Sequence, residues 1–206
     1  MAVDVTGRLI EVVSGMPLDR IIAAHVTGPL QMTDTGYHVP ETDWRRAAQP
    51  KIDPTTGQLP RHQGPRYPPK LVGGNTGMIA TAADYLRFCQ MVLNGGALDD
   101  VRILGAGTVA HMSRDHFGPI SRDGEVARWL LVPGYGVGLG VAVRLAEGEH
   151  PMPGSVGDYY RGGAFGTLFL IDPKRNLIAV AMINQASFME RHMRLFRTLV
   201  CQTLAE

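Results

Sequence analysis

Residues 134–145 carry the pattern that most constrains how this chain can fold. Small residues occupy every second position from 134 to 142, and larger apolar side chains occupy the positions between them. The small residues are Gly134, Gly136, Gly138, Gly140 and Ala142. A period of two is typical of a β-strand, so the pattern predicts one strand over residues 134–145. Because one face of this strand is almost bare, we expect a helix or a neighbouring backbone to pack very close to it.

Two more strands are predicted over residues 167–171 and 177–183, where apolar residues follow one another almost without interruption. The polar or turn-forming residues 172–176 separate these two runs, which predicts an antiparallel hairpin. Strands that are apolar on both faces are usually covered on both sides. We therefore expect both strands to be central in their sheet.

Elsewhere the apolar residues recur at the helical period. Two helices are predicted within residues 1–36, and others over residues 82–93, around 107–114 and over 188–206. Thr81 and Asp84 have the Thr-x-x-Asp spacing of a helix cap and mark the start of the helix over 82–93. Strands and helices together predict an α+β fold, an antiparallel β-sheet flanked by helices.

The length of 206 residues favours one domain. We expect its segments to be helices (1–36), a proline-rich loop (37–72), helices and loops (73–132), and strands with a terminal helix (133–206). Seven of the 14 prolines lie within residues 37–72, and the stretch has no clear hydrophobic period. A long segment of this kind is typical of a functional loop or a linker, and it is expected to lie outside the core.

Composition excludes several classes of protein. With 20 Lys+Arg and 19 Asp+Glu, the net charge of +1 argues against a nucleic-acid partner. The sequence has no run of 18 apolar residues, so no membrane span is predicted. The amino terminus does not resemble a signal peptide, and together these observations favour a cytoplasmic location. The two cysteines, Cys89 and Cys201, form neither a disulfide framework nor a zinc site, and both are expected to be small buried hydrophobes. We expect no cofactor.

No metal site is predicted, because none of the seven histidines pairs with another at metal-ligand spacing. His111 and His116 are five positions apart, which would place them on different faces of a helix. The three arginines of the terminal helix, Arg191, Arg194 and Arg197, recur every three residues and are expected to form a solvated face. Residues 73–77, Gly-Gly-Asn-Thr-Gly, could hold an anion, but a tight turn leading into a helix is the favoured interpretation.

The sequence contains no Ser-x-x-Lys and no Gly-x-Ser-x-Gly motif. Ser155 lies near two glycines in Pro-Gly-Ser-Val-Gly, but no base is evident beside it, and a serine nucleophile needs one. Residues 159–167 are more informative, because Gly162 and Gly163 precede an apolar strand and would let a ligand approach the backbone. A plain turn into the strand remains the simpler interpretation of this pair.

Five stretches of the chain resemble the β-lactamase-related serine hydrolases, close to class C β-lactamases and family VIII carboxylesterases. The stretches are residues 4–18, 28–35, 73–96, 134–140 and 154–173. Within the second, Pro29-Leu30-Gln31-Met32-Thr33-Asp34-Thr35 matches a family segment that has glycine where this chain has Gln31. The resemblance implies a partial β-lactamase/transpeptidase-like fold that corresponds to the carboxyl-terminal half of the family domain.

The resemblance also implies a site. The family's third motif, Lys-Thr-Gly or Trp-Gly-Gly, aligns with Arg161-Gly162-Gly163, where arginine departs from both versions. The following residue, Ala164, would give its backbone N–H to an oxyanion hole, and Tyr160, Arg161, Gly162 and Gly163 would line the substrate site.

Two functions follow from these observations. In the first, the chain is one segment of a serine hydrolase that acts on a small ester or amide through an acyl-enzyme, with the Ser-x-x-Lys nucleophile on another segment. Alternatively, it is a non-catalytic relative that serves as a binding or interaction domain. In both cases an uncovered apolar edge or patch is expected to cause self-association.

Overall fold

The computed structural model describes residues 2–54, 56–58, 66–118, 133–185 and 189–204. Its described helices are α1 (Ala2–Ser14), α2 (Leu18–Ile22), which continues as a π-helix (Ala23–Thr27), a 3-10 helix (Glu41–Arg46), α3 (Ala82–Leu93), α4 (Ala106–Met112) and α5 (Met189–Gln202). A short hairpin pairs β1 (Ala97–Leu98) with β2 (Val101–Arg102). The predicted α+β class is confirmed.

A five-stranded antiparallel sheet dominates the second half of the described chain. Its strands lie in sequence order: β3 (Tyr135–Val137), β4 (Ala142–Arg144), β5 (Tyr159–Gly162), β6 (Leu168–Asp172) and β7 (Leu177–Ala181). Each strand therefore pairs only with its neighbours in the chain, so short turns and one longer loop suffice to connect the sheet.

The single strand predicted over residues 134–145 is wrong, because the chain reverses in the middle of this segment. Strands β3 and β4 pair with each other, with Tyr135 opposite Arg144. Between them, the Gly138 N–H donates to the Val141 carbonyl at 2.8 Å. Gly140 has a φ of +83°, a left-handed conformation that glycine adopts without steric cost. The period of two is real on both sides of this turn, so periodicity alone did not reveal the reversal.

The close approach expected on the bare glycine face is confirmed. A Cβ atom added to Gly136 would lie 2.5 Å from Asp115 Cγ, and one added to Gly138 would lie 2.4 Å from the Met112 carbonyl oxygen. The Leu139 N–H also donates to the Met112 carbonyl at 2.9 Å. The segment after α4 thus packs against the glycines and covers the outer edge of β3.

The hairpin predicted around residues 172–176 is confirmed as β6 and β7, with Asp172 opposite Leu177. All five residues of β6 are buried, as expected for a central strand. The expectation that β7 is also central is wrong. Within the described residues β7 lies at an edge of the sheet, because no other strand pairs with it there. Four of its five residues are only partly buried, so an apolar run alone does not show that a strand is covered on both faces.

The sheet separates two apolar clusters. On one face, α3 packs on the sheet through Cys89 and Met91, against residues that include Val143, Tyr159, Phe169 and Ile171. On the other face, α5 covers a smaller cluster of Tyr135, Tyr160, Leu168, Leu170 and Ala179. The terminal helix contacts it through Met193, Phe196 and Val200. Phe188, the predicted first residue of this helix, lies outside the described residues.

Helix α3 begins as predicted, because the Thr81 hydroxyl accepts a hydrogen bond from the Asp84 N–H at 3.2 Å. The Asp84 carboxylate reaches a distant segment, where it accepts hydrogen bonds from the Asp34 N–H and the Thr35 hydroxyl, both at 2.8 Å. One residue of the cap therefore also anchors the segment that leads into residues 37–72. The described residues of that segment lie at the surface, and the 3-10 helix is their one regular element.

Candidate active site

Two of the five predicted site residues, Gly163 and Ala164, lie in the turn between β5 and β6, and the other three belong to the end of β5. The Gly163 N–H donates to the Thr167 carbonyl at 2.8 Å, and the Gly166 N–H donates to the Gly163 carbonyl at 2.9 Å. Ala164 therefore occupies the second position of a tight turn, where it is exposed. Within the described part of the chain, its N–H has no hydrogen-bond partner.

The two adjacent glycines differ in what they are needed for. A Cβ atom on Gly163 would lie 2.3 Å from Thr167 Oγ1, so the hairpin itself leaves no room for a side chain there. At Gly162 the nearest atom to an added Cβ is the Thr167 carbonyl oxygen at 3.7 Å, an ordinary contact distance. The turn thus accounts for Gly163, while a side chain at Gly162 would fit without a steric clash.

Arg161 and Tyr160 leave β5 on opposite faces of the sheet, because successive side chains of a strand alternate. Arg161 is opposite Phe169, which places it on the α3 face, and it is exposed. Tyr160 lies in the cluster under α5, only 6% exposed, with its ring 5.2 Å from that of Tyr135. The structure therefore brings Arg161, Gly162, Gly163 and Ala164 together and separates Tyr160 from them.

The α5 face contains a buried ionic cluster that sequence analysis missed. Asp158 Oδ2 accepts hydrogen bonds from Arg197 Nη2 at 2.8 Å and from Arg144 Nε at 3.1 Å. The Tyr135 hydroxyl donates to Asp158 Oδ1 at 3.2 Å. Arg197 and Asp158 are both 0% exposed. The expectation of a solvated arginine face is thus wrong for Arg197, whereas Arg191 and Arg194 are exposed.

This cluster places two cations on one carboxylate in a dry environment. Burial raises the pKa of Asp158 above its ordinary value, and the charges of Arg197 and Arg144 oppose that shift. Burial also raises the pKa of the Tyr135 hydroxyl, which keeps it protonated as a donor. Arg197 Nε and Nη1 have no hydrogen-bond partner in the described chain, but the guanidinium lies 5.2 Å from the ring centre of Tyr160. That cation–π contact replaces part of the lost hydration.

Gly154 is required by the same cluster. A Cβ atom added there would lie 2.0 Å from Asp158 Oδ2 and 2.6 Å from Arg197 Nη2. The glycine of the Pro-Gly-Ser-Val-Gly sequence therefore makes room for an ion pair and does not form a nucleophile elbow. The cluster joins β3, β4, the loop before β5 and α5, which is a structural role.

Ser155, the next residue, is also engaged in the fold. It is 4% exposed, and its hydroxyl donates to the buried Asp172 carboxylate at 2.7 Å. Asp172 ends β6, whereas Ala164 precedes the start of that strand at Leu168. Four residues of strand span about 13 Å, so Ser155 lies at the opposite end of β6 from the Ala164 turn. Ser155 is therefore distant from the Ala164 turn.

The other described serines do not form a nucleophile–base pair either. The hydroxyls of Ser14 and Ser113 donate to backbone carbonyls within their own helices, at 2.7 and 3.1 Å. Ser121 and Ser187 lie outside the described residues. Among the described residues, no serine is paired with a base in the way that an activated nucleophile requires.

His111 and His116 meet, contrary to the expectation from their spacing. Helix α4 ends at Met112, so the chain turns back and brings the rings into edge contact, 4.6 Å between centres. Among the described residues, no three His, Cys, Asp or Glu side chains come together in a way that could hold a metal ion. In the same residues, no helix has the length and apolar character that a bilayer crossing requires.

The sequence profile of the family described as Beta-lactamase matches residues 1–202. Protein Rv1367c of Mycobacterium tuberculosis (strain ATCC 25618 / H37Rv) is 33% identical over 192 residues, which cover 88% of this chain and 47% of that protein.

Solved structures that share the fold include the following two. EstCE1, described as a hydrolase with promiscuous acyltransferase activity, matches with a TM-score of 0.76 and 24% identity over 97% of this chain and 54% of its own. The LovD6 mutant of simvastatin synthase (LovD) from Aspergillus terreus matches with a TM-score of 0.76 and 19% identity over 97% and 53%. The partial β-lactamase-like fold is thus confirmed, and the chain spans about half the length of these relatives.

Proposed function

Because this chain belongs to the Beta-lactamase family, we propose that it forms one part of a serine hydrolase that cleaves small esters or amides through an acyl-enzyme. In this proposal a segment outside this chain supplies the serine and lysine of Ser-x-x-Lys. This chain supplies the Ala164 N–H and Arg161 at one end of the sheet.

The Ala164 N–H is the observation that carries the proposal. It lies at an exposed turn, and no hydrogen bond within the described chain occupies it. The hairpin bonds on both sides, from Gly163 and Gly166, hold the turn in place, so the donor would need little reorganisation. A single donor of this kind stabilises a developing oxyanion by about 3 kcal/mol.

Arg161 gives the site a charge preference. Its side chain is exposed on the same sheet face as α3, two residues before the turn that carries Ala164. A guanidinium presents a planar fork of donors that matches a carboxylate. Substrates with a carboxylate near the scissile bond are therefore expected to be favoured. The descriptions of EstCE1 as a hydrolase and of LovD as simvastatin synthase support small-molecule chemistry in this fold.

The alternative is a non-catalytic binding or interaction domain. Its support comes from Ser155, whose hydroxyl is bound to Asp172 and cannot meet a base without breaking that contact. Under this alternative the sheet and helices persist as a scaffold, and Ala164 is a solvated turn residue.

Active-site labelling distinguishes the two functions. We expect the chain alone to resist a fluorophosphonate and a fluorescent penicillin, and to hydrolyse p-nitrophenyl esters no faster than an unrelated protein. Adding a segment that carries Ser-x-x-Lys, taken from a reading frame upstream of this one, should restore labelling and hydrolysis. Continued inactivity of a complex that does assemble favours the non-catalytic function. Stoichiometric labelling of the chain alone would contradict the proposal that the nucleophilic serine lies on another segment.

Ala164→Pro tests the oxyanion donor within such a complex. Proline lacks the N–H but suits the second position of a β-turn, so the hairpin should survive. We expect kcat/KM to fall about 100-fold to 1,000-fold. Ala164→Gly retains the N–H and is the matched control, with activity close to that of the wild type. Equal activity of both variants would remove Ala164 from the site.

A further inference from the structure

The residues that follow β7 run beside the Ala164 turn. The Gln185 N–H donates to the Phe165 carbonyl at 2.8 Å, within the turn that carries the proposed oxyanion donor. A Cβ atom added to Gly166 would lie 3.2 Å from the Gln185 carbonyl oxygen and 3.3 Å from Ile183 Cγ2, so the two segments pack closely. Gly166 also donates the hydrogen bond that closes the turn. The position of the Ala164 N–H therefore depends on where Gln185 is held.

Asn184, the preceding residue, joins this segment to a distant part of the chain. Its side-chain amide Nδ2 donates to the Ala48 carbonyl at 2.7 Å, across 136 positions of sequence. From residues 41–48, this is the one hydrogen bond to the sheet or its connections that the described chain contains. Ala48 lies two residues after the 3-10 helix of the proline-rich segment. One side chain thus connects that segment with the end of the sheet that carries the candidate site.

The proline-rich segment is anchored at its other end as well. The Asp84 carboxylate of α3 accepts hydrogen bonds from the Asp34 N–H and the Thr35 hydroxyl. Arg46 Nη1 donates to Asp34 Oδ1 at 3.0 Å, which ties the end of the 3-10 helix to the same anchor. This part of the chain is thus fixed to α3 at one end and to the residues beside the Ala164 turn at the other.

We propose that Asn184 is a positioning residue, which couples residues 34–48 to the Ala164 turn. When that segment moves, the hydrogen bond to the Asn184 side chain moves with it, and the adjacent Gln185 N–H transmits the shift to the Phe165 carbonyl. Contiguous hydrogen bonds can carry coupling of this kind, and one extended residue spans only about 3.3 Å between the two contacts. The inference rests on the proposed function only in assigning catalysis to Ala164, because the coupling itself is a property of this chain.

A double-mutant cycle read by hydrogen exchange tests the coupling in the purified chain, without any activity. Arg46→Ala releases the 3-10 helix from Asp34, and we expect it to accelerate exchange of the Gln185 amide about threefold, as for the loss of a surface ion pair. In an Asn184→Asp background, which removes the amide donor at nearly unchanged side-chain size, Arg46→Ala should no longer affect this amide. Asn184→Ala removes the same donor without adding a charge and should give the same result.

The chain supplies matched controls for both mutations. Arg45, next to Arg46 on the 3-10 helix, is exposed and has no ion pair within the described residues, so Arg45→Ala should leave exchange of the Gln185 amide unchanged. Gln185→Ala keeps the backbone N–H and Asn184, so Arg46→Ala should act there as in the wild type. The Cys89 amide, buried in α3, reports global unfolding, and Arg46→Ala should change its rate by the same factor with or without Asn184→Asp.

Kinetics of a complex completed by a Ser-x-x-Lys segment then test the link to catalysis. Asn184→Asp should lower kcat about tenfold and change KM less than about twofold, because the oxyanion exists only in the transition state. Asn184→Gln retains the amide donor on a longer side chain and should recover part of kcat. A rise in KM at unchanged kcat would contradict the positioning role.

The two measurements fail independently. If Arg46→Ala leaves the Gln185 amide unchanged in the wild type, or accelerates it equally in the Asn184→Asp background, the coupling is overturned whatever the complex does. If the exchange cycle shows the coupling and an assembled complex is inactive, the coupling stands and the hydrolase function is removed.

Discussion

Ser155 and Asp172 form a buried hydrogen bond of 2.7 Å, in which the hydroxyl donates to the carboxylate. It ties the loop before β5 to the end of β6, and Asp172 also accepts a hydrogen bond from the Arg175 N–H at 3.2 Å in the following turn. Ser155, the serine of the Pro-Gly-Ser-Val-Gly sequence, is therefore a structural residue.

Ser155→Ala tests this role directly. Removing the hydroxyl leaves a buried carboxylate without one of its donors, so we expect a loss of about 1–3 kcal/mol in the free energy of unfolding, measured with urea. Ser14→Ala, at an exposed serine that bonds within its own helix, should change the free energy by less than about 0.5 kcal/mol. An unchanged free energy of unfolding in Ser155→Ala would show that the hydrogen bond contributes nothing to stability.

Asp158→Ala should be among the most destabilising single substitutions in the described chain. It leaves Arg144 and Arg197 buried side by side without a counter-charge, which costs about 3–5 kcal/mol. The comparison is Asp43→Ala, whose partner Arg46 forms a surface ion pair at 3.4 Å and whose loss should cost under about 1 kcal/mol. Urea unfolding measures both, and similar losses would mean that the buried cluster is not specially stabilising.

Gln31→Gly should stabilise the protein. Gln31 has a φ of +54°, the left-handed conformation that glycine adopts without strain. It persists because Leu30 and Met32 on either side are buried, at 1% and 5% exposure, and fix the backbone between them. We expect a gain of about 1 kcal/mol and a rise in Tm of a few degrees.

The matched control for that prediction is Gln90→Gly. Gln90 lies inside α3, where the backbone is already helical, so glycine should cost about 1 kcal/mol. If glycine raises the free energy of unfolding at Gln31 and lowers it at Gln90, the backbone conformation of each position decides the effect of the substitution. Destabilisation by Gln31→Gly would show that the Gln31 side chain makes a contribution that outweighs the strain.

The two cysteines should differ sharply in reactivity. Burial raises the pKa of the Cys89 thiol to about 12, so it remains protonated at pH 8 and shielded by the α3 face of the sheet. Cys201 is partly exposed. Iodoacetamide at pH 8 should therefore alkylate Cys201 first, and Cys89 only after denaturation. Mass spectrometry of the modified peptides gives the order, and early modification of Cys89 would contradict its packing.

Arg161→Ala should change substrate preference in a complex completed by a Ser-x-x-Lys segment. Losing the guanidinium should lower kcat/KM for carboxylate-bearing esters about 10-fold or more, while neutral esters are spared. Arg161→Lys keeps the charge without the fork and should recover part of the activity. Equal losses for both substrate classes would assign Arg161 to the surface of the protein.

Local signals were sufficient for much of the fold. Thr81 caps α3 because its hydroxyl acts within one turn, and the β6–β7 hairpin follows from the turn residues between two apolar runs. The spacing of Gly136 and Gly138 correctly indicated a backbone in very close contact, although the sequence did not identify that backbone as the Met112 segment. The same period of two hid the reversal at Gly140, because a hairpin keeps the alternation of both its strands.

The position of the candidate site was accessible only through resemblance. Nothing in the residue pattern distinguishes the Ala164 turn from any other hairpin turn, and Gly163 is explained by steric contact with Thr167. The backbone hydrogen bonds of the turn are needed to show that the Ala164 N–H is exposed and has no hydrogen-bond partner in the described chain.

What the sequence determined by itself is thus the set of local elements, together with the family to which they belong. Only the tertiary structure decided that Arg197 is buried on Asp158, that β7 lies at an edge of the described sheet and that the large apolar residues of α1 are exposed. The physical reason is that periodicity records which side of an element is apolar, whereas burial depends on partners far away in the chain. Arg197 and Asp158 are 39 residues apart, and no local pattern connects them.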